Sequence, residues 1–515
     1  MRASPRSRSS FPRAAGVLLP IAALPGGHGL GDLGGGARRF VDWAAAAGFA
    51  VWQILPVHPT DPWGSPYSGM SAFAGNPLLV DLEDLVRRGL LARRDLKGAP
   101  ELQCGVADYR AAAAFKEPLL ERAARAFLAG VGGREAAGFE AFLRADGPVW
   151  LDDAALHAAL AAARGGAPWW RWEEPLKRRR ASALKAARAE LAGEIERYAA
   201  IQFLFDAQWR SLRAHAAASG VRILGDMPLY VDAAAADVWA RPELFALDGR
   251  LEPRAVGGVP PDYFSQTGQK WGNPVYRWRA HRADGFAWWV ARLSREAALS
   301  DLVRLDHFRG FSACYEIPAR AKDARAGAWV KAPGREILAA AAAAMGDLPF
   351  VAEDLGVIDE DVVALRDAFD LPGMAVLQFG FGGGSDSPHL PHNYRERLVA
   401  YTGTHDNDTL RGWWRTADAA AREHALRYLG VRRGSDAAIC GHLVRACLGS
   451  VAGLAILTVQ DLLGLGSEAR TNLPGAPPGA SWLWRLAGGA LGARRAADIR
   501  GLLETYRRVP GASIS

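Results

Sequence analysis

Residues 302–310 read LVRLDHFRG, and this stretch decides the fold. Leu302, Val303 and Leu305 make a short apolar run that passes at once into Asp306, His307 and Arg309 and then Gly310. A buried strand that ends in a polar turn is written this way. The pattern recurs in GVLLP at 16–20, AVWQILPV at 50–57, RILGDMPLYV at 222–231, FVAEDLG at 350–356, AVLQFG at 375–380, LVAYTGTHD at 398–406 and VAGLAILTVQDLL at 451–463. Helical stretches such as ARRFVDWAAAAG separate most of these runs. Near-continuous apolar strands alternating with helices indicate a parallel sheet buried on both faces. Eight of them predict an α/β fold, the (β/α)8 TIM barrel.

The spacing of the strands leaves two long intervals. Residues 58–220 are mostly helical by pattern, with i, i+3, i+4 apolar spacing in EIERYAAIQFLFDAQWRSLRAHA and a stop at Gly220. Residues 232–300 form the second interval. Both read as insertions in a single catalytic barrel over 16–515, with residues 1–15 as a disordered basic tail. The glycine cluster GFGGG at 380–384 reads as a flexible loop.

The 515 residues are 50% apolar and 23% charged, which excludes a disordered or collagen-like chain and a multi-span membrane protein. No apolar run is long enough to cross a bilayer. AAGVLLPIAAL at 14–24 mimics a short signal peptide, but Pro20 breaks it. The net charge of +7 is spread over surface positions and two local runs, the N-terminus and Lys177–Arg180; these runs lie apart from the aromatic loops, which argues against nucleic acid as a partner. Cys104, Cys314, Cys440 and Cys447 form no CxxC pair, so neither a zinc site nor a disulfide framework is expected, and a cytoplasmic location is. No calcium-loop pattern and no GxxxxGK[ST] loop is present; no metal and no cofactor are expected.

In a barrel of this kind catalytic groups sit at the C-terminal strand ends. Asp226, Asp306, Glu353, Asp406 and Asp461 end the third, fourth, fifth, seventh and eighth strands. Residues two apart on a strand share a face, so Arg304 and Asp306 both point into the mouth, where the guanidinium favours the charged carboxylate. Glu353 sits beside apolar Val351 and Ala352 and next to Asp354, which predicts a raised pKa and a retained proton. One ionised and one protonated carboxyl group suit cleavage of a glycosidic bond, by the retaining route at a separation of about 5–5.5 Å. The bland alternative is that these acids cap helices, and Asp354 is the better capping candidate of its pair.

The motifs resemble those of the 4-α-glucanotransferases, the amylomaltase or disproportionating-enzyme family within the α-amylase clan. The resemblance runs from about Gly16 to beyond Arg485 and rests on RLDHFRG at 304–310, VAEDLG at 351–356, GTHDNDT at 403–409, GDMPLYV at 225–231, GVPPDYFSQTGQKWGNPVY at 258–276, and WQILPVHPT with PWGSPYS. RTNLPGAPPGASW at 470–482 keeps only an Asn-x-Pro-Gly core. The resemblance implies Asp306 as nucleophile, Glu353 as general acid and base, and Asp406 as the carboxylate that holds the sugar's 2- and 3-hydroxyls. It implies sugar-binding roles for Arg304, His307, His405, Asp226 and Asn407, for Asp262 and Asn273 in the 258–276 loop, and for Tyr67 and Trp271 as stacking platforms. The interval 232–300 then becomes a glucan-binding loop region. An α-1,4-glucan is the implied donor, and glucose or a maltooligosaccharide the acceptor. A loop over 257–274, hinged at Gly257-Gly258, would exclude water and favour transfer. The rival on the same barrel is an α-amylase-type hydrolase.

Overall fold

The computed structural model describes residues 13–100, 105–131, 135–261, 265–477 and 479–511. Its twelve strands are β1 (Ala14–Leu18), β2 (Val51–Gln53), β3 (Arg222–Met227), β4 (Ala255–Val259), β5 (Gln269–Pro274), β6 (Leu302–Leu305), β7 (Ala313–Pro318), β8 (Ala328–Lys331), β9 (Phe350–Ala352), β10 (Gly373–Val376), β11 (Leu398–Tyr401) and β12 (Leu454–Thr458). Eight of them form one parallel sheet in the order β10-β11-β12-β1-β2-β3-β6-β9. The ends of this sheet meet. Ala352 N donates to Pro372 O at 2.8 Å, and Asp354 Oδ1 accepts from Met374 N at 2.7 Å. The (β/α)8 barrel is thus closed at a seam that a side chain helps to stitch. Asp354, expected to cap a helix, instead accepts from the Met374 N–H of β10 and pairs with Arg366.

The barrel strands are β-rich and short because both faces are covered. Ala14, Leu18, Val51, Leu224, Val351, Val376, Val399 and Ile456 belong to one buried cluster. Alternate residues such as Val17, Trp52, Ile223, Ala400 and Leu457 pack outward with the helices. Two hydrophobic faces per strand leave no room for polar residues except at the ends, and there the acids lie.

The sheet starts at Ala14, so Ala14 and Ala15, read as part of the tail, are the first residues of β1. Arg13 is anchored to the carbonyls of Leu448, Ser450 and Tyr506. Residues 1–12 lie outside the described residues. The apolar segment that mimics a signal peptide is therefore filled by a core strand.

Between β2 and β3 the chain builds helices, of which Ala192–Ala218 is the longest at 27 residues, about 40 Å. It ends at Ser219 and Gly220, whose φ of 74° stops it at the glycine. Two buried glutamines on this helix act as backbone mimics. Gln202 bonds both the N–H and the C=O of Gly75, and Gln208 does the same to Asp81. An amide that satisfies both groups of a buried peptide unit ties this helix to the segment that follows β2.

The interval 232–300 is more than a loop region. It holds β4 and β5, which join β7 and β8 from the segment after β6 in a second, antiparallel sheet of order β5-β4-β7-β8. Gly257 and Gly258 lie inside β4 and are no hinge. A Cβ on Gly257 would stand 2.6 Å from the Tyr230 ring and one on Gly258 2.1 Å from Gln269 O, so close packing explains both. GFGGG also departs from expectation at its start: Leu377–Gly382 is a 3-10 helix and Phe381 is buried.

Candidate active site

The register of β3, β6 and β9 brings the acids together. Asp226 is the lateral partner of Arg304, and Arg304 that of Val351. One step on, Glu353 N donates to Leu305 O and Asp306 N to Met227 O. Asp306 and Glu353 therefore leave adjacent strands at one level, and Asp226 lies two residues below them, level with Arg304.

Arg304 is the hub. Its side chain is 4% exposed; Nη1 donates to Asp226 Oδ1 and Oδ2 at 2.8 and 2.9 Å, and Nη2 pairs with Asp306 Oδ1 at 2.8 Å. Despite burial, the surrounding carboxylates hold its pKa well above the ordinary arginine value. Burial pushes the Asp226 carboxyl up, and Arg304 opposes that push.

Asp226 carries a correction. It was expected to touch sugar, but its side chain is fully buried and its oxygens are taken by Arg304 and by the Tyr67 hydroxyl at 2.6 Å. It anchors Arg304 and Tyr67. Tyr67 is half-buried, its ring parallel to His405 with centroids 5.2 Å apart.

Glu353 is half-buried. Its Oε2 accepts from His307 N at 2.7 Å and its Oε1 from Leu355 N at 3.2 Å. Burial raises its pKa well above the usual carboxyl range; Arg304 opposes, and Asp306 and Asp354 add to the rise. The expected direction is found, with Asp306 a stronger contributor than the sequence neighbour Asp354. His307 makes this contact possible with a left-handed backbone, φ 50°, a conformation that costs a non-glycine residue about 1 kcal/mol. The strain turns the chain directly after Asp306 so that the next N–H meets Glu353. Burial pushes the His307 imidazole down to about 4, so it is neutral near pH 7.

Asp406 sits in the turn after β11. Its Oδ1 accepts from Asn472 Nδ2 at 2.6 Å and its Oδ2 lies 3.3 Å from His405 Nε2. Burial alone would raise its pKa; His405, Asn472 and Arg304 together hold it well below the usual range. Arg470 bonds Asp406 O and Asn472 O, and Asn472 N bonds His405 O. Asp461, in the short helix Val459–Leu463 that follows β12 and not at the strand end, supports the same turn through Thr402 Oγ1 and Leu410 N, both at 2.7 Å. Asn407 Oδ1 accepts from Thr404 N and Oγ1, which makes it a brace of this turn. Arg470 and Asn472 are the residues that sequence reasoning missed; the retained Asn-x-Pro-Gly core was the available signal.

Trp271 is 38% exposed. It lies in edge strand β5 and not in a loop. Val256 pairs with Pro274 and Gly258 with Lys270, so Trp271, Gly272 and Asn273 bulge out of the ladder, with Gly272 at φ 86°. The bulge aims Trp271 edge-to-face at His307, centroids 5.1 Å apart. Asn273 gives its Nδ2 to Val231 O at 2.9 Å and so ties this strand to the turn after β3. Asp262 lies outside the described residues. Among the described residues, no cluster of three or more His, Cys, Asp or Glu could hold a metal ion.

A barrel mouth with this set of acids invites comparison with known proteins. The sequence model of one family, described as 4-alpha-glucanotransferase, matches residues 19–490. The chain belongs to that family. Among similar members, the 4-alpha-glucanotransferase of Thermus thermophilus is 47% identical over 504 residues, 97% of this chain and all of that one. The family member of Aquifex aeolicus is 44% identical over 92% of this chain and 95% of its own. Among solved structures, amylomaltase from Streptococcus agalactiae in complex with acarbose superposes with a TM-score of 0.92 at 35% identity, covering 96% of this chain and all of that one. The fold, the family and the activity class thus agree: this family member carries out glucan transglycosylation.

Proposed function

We propose that the glucanotransferase works by retaining double displacement at Asp306 and Glu353. An Asp306 carboxylate oxygen attacks the anomeric carbon of an α-1,4-glucan. The bond from that carbon to the leaving O4 breaks while Glu353 gives its proton to that oxygen, which leaves a β-linked glucosyl ester on Asp306. The 4-hydroxyl of an acceptor, glucose or a maltooligosaccharide, then gives its proton to Glu353 and displaces Asp306. Two inversions restore the α linkage. Asp406, held charged and oriented by Asn472, takes the 2- and 3-hydroxyls, and those hydrogen bonds strengthen as the ring flattens.

One observation carries this reading: the His307 N–H that meets Glu353 Oε2 at 2.7 Å, directly beside an Asp306 paired with Arg304. The contact holds Glu353 beside the ion-paired Asp306; burial, against this N–H and Arg304, supports the proton-holding role of Glu353, and the two carboxyl groups then fill the two roles that glycosyl transfer divides. Trp271, exposed over that mouth, supports an acceptor site in which a sugar face covers the indole and takes the place of water. Three free buried cysteines, Cys314, Cys440 and Cys447, support a cytoplasmic setting; Cys104 lies outside the described residues. No helix among the described residues is long and apolar enough to cross a membrane.

Thin-layer chromatography of a maltotriose digest tests the proposal. Glucose and a ladder of longer maltooligosaccharides are expected, with total reducing ends constant. A steady rise in reducing ends identifies the hydrolase instead.

A further inference from the structure

Trp169 and Trp170 stand apart from the catalytic mouth. Trp169 is 1% exposed and gives its Nε1 to Ala233 O at 2.8 Å; Trp170 is half-buried, its ring 5.8 Å away at 80°. With Leu247, Leu251, Pro253 and Val256 they line an open groove of about 590 Å³. That volume lies within the range of roughly 300–1,000 Å³ found for small-ligand sites.

The rim is polar and unspent. Glu252, Arg254 and Arg320 line the groove, are exposed, and make no side-chain hydrogen bond or ion pair with any described residue. Asp248, also on the rim, is committed to the N–H groups of Arg250 and Glu252 in its own turn. The groove shares a wall with the mouth. Val256 belongs to β4, which pairs with the bulged strand that carries Trp271. Ala233 follows Val231, whose carbonyl Asn273 holds.

We propose that this groove is a second binding site for an α-1,4-glucan chain, an accessory groove that holds the polymer while the mouth works on it. The inference rests on the transglycosylation read above and adds a place for the chain beyond the reacting sugars. A pyranose presents flat C–H faces and a rim of hydroxyls. Indole, proline and aliphatic side chains cover the faces, and adjacent hydroxyls pair with a free carboxylate and free guanidinium groups. A chain held at two places is retained far better than at one, whereas a trisaccharide in the mouth gains nothing from the groove.

Affinity electrophoresis in amylopectin gels, run beside maltotriose kinetics, tests this. Trp170→Ala and the double variant Arg254→Ala/Arg320→Ala are expected to keep the parent's kcat and KM on maltotriose. Their apparent dissociation constant for amylopectin should rise about tenfold, the loss of one aromatic anchor, and Trp170→Phe should recover most of it. In an Asp306→Asn background the same contrast should appear without turnover. Parent-like retention of both variants overturns the proposal, as it would if the groove seated a polypeptide. An equal loss on maltotriose and amylopectin in both variants also overturns it, because groove and mouth would then be one site. Should Trp170→Ala fail to fold, the exposed arginine pair carries the test alone. The parent's own product ladder on maltotriose judges the proposed mechanism and activity independently of the groove.

Discussion

Replacing Arg304 by Gln separates the two jobs of the hub. Arg304 supplies two hydrogen bonds to a fully buried Asp226 and an ion pair to a partly exposed Asp306. Removing one partner of a buried pair costs about 3–5 kcal/mol, because the other charge is left uncompensated. Asp226 keeps only the Tyr67 hydroxyl. Its carboxyl is already pushed up by burial, and Arg304 is the main opposing influence. In the variant the carboxyl rises further and takes up a proton. A carboxyl whose folded pKa exceeds its unfolded one binds more protons in the native state, so stability falls as pH rises between those two values. The slope is at most about 1.4 kcal/mol per pH unit for one group. Urea unfolding should therefore show Arg304→Gln regaining stability from pH 7.5 to pH 5. Arg304→Gln/Asp226→Asn should lose the part of that dependence that Asp226 adds, keep the part that Glu353 gives the parent, and recover most of the lost stability at pH 7.5, since position 226 then carries no charge. Neither variant should recover activity, because Asp306 has lost its partner in both; a fall of more than about a hundredfold in kcat/KM on maltotriose is expected. Equal stability of the single and double variants at pH 7.5, or a restored rate in the double variant, would refute the assignment of Asp226 as anchor and Arg304 as the partner of the nucleophile.

Three further outcomes follow from the same geometry. Glu353→Gln should abolish turnover of maltooligosaccharides yet recover a measurable first step with a glucosyl fluoride donor, whose leaving group needs no proton; no recovery in a burst assay counts against Glu353 as the acid. The same variant should be more stable than the parent above the ordinary carboxyl range, with the gap widening as pH rises, because the raised pKa of Glu353 makes its ionisation oppose folding; thermal unfolding across pH reads this directly. Asn472→Ala removes a 2.6 Å bond to the charged Asp406 and should lower kcat/KM on maltotriose by about 10- to 100-fold, corresponding to roughly 1.5–3 kcal/mol; an unchanged rate would leave the loop after β12 without a part in the chemistry.

The strand ends were legible because burial on both faces forces apolar residues into a strand and pushes acids to its end. The alternation of Arg304 and Asp306 gave their shared direction, and the apolar neighbours of Glu353 gave the direction of its pKa. The reading failed where one side chain answers to a distant backbone. Asp226 looked like a ligand, but the register of β3 against β6 buries it on Arg304. Gly257 and Gly258 looked like a hinge, but Tyr230 and Gln269 leave no space for a Cβ. Asn273 and Asn407 each spend one amide atom inside the protein, Asn273 Nδ2 on Val231 O and Asn407 Oδ1 on Thr404, contacts that no local pattern shows.

By itself, then, the sequence determined the barrel, the family and which acids stand at the strand ends, since those depend on local pattern: period, polarity and the order of residues along a strand. Only the tertiary structure decided which groups hold those acids. The contact between the His307 N–H and Glu353, the sharing of Arg304 by Asp226 and Asp306, and the hold of Asn472 on Asp406 join segments far apart in the chain. Protonation depends on burial and on charges within a few ångströms, and those distances exist only once the strands lie side by side.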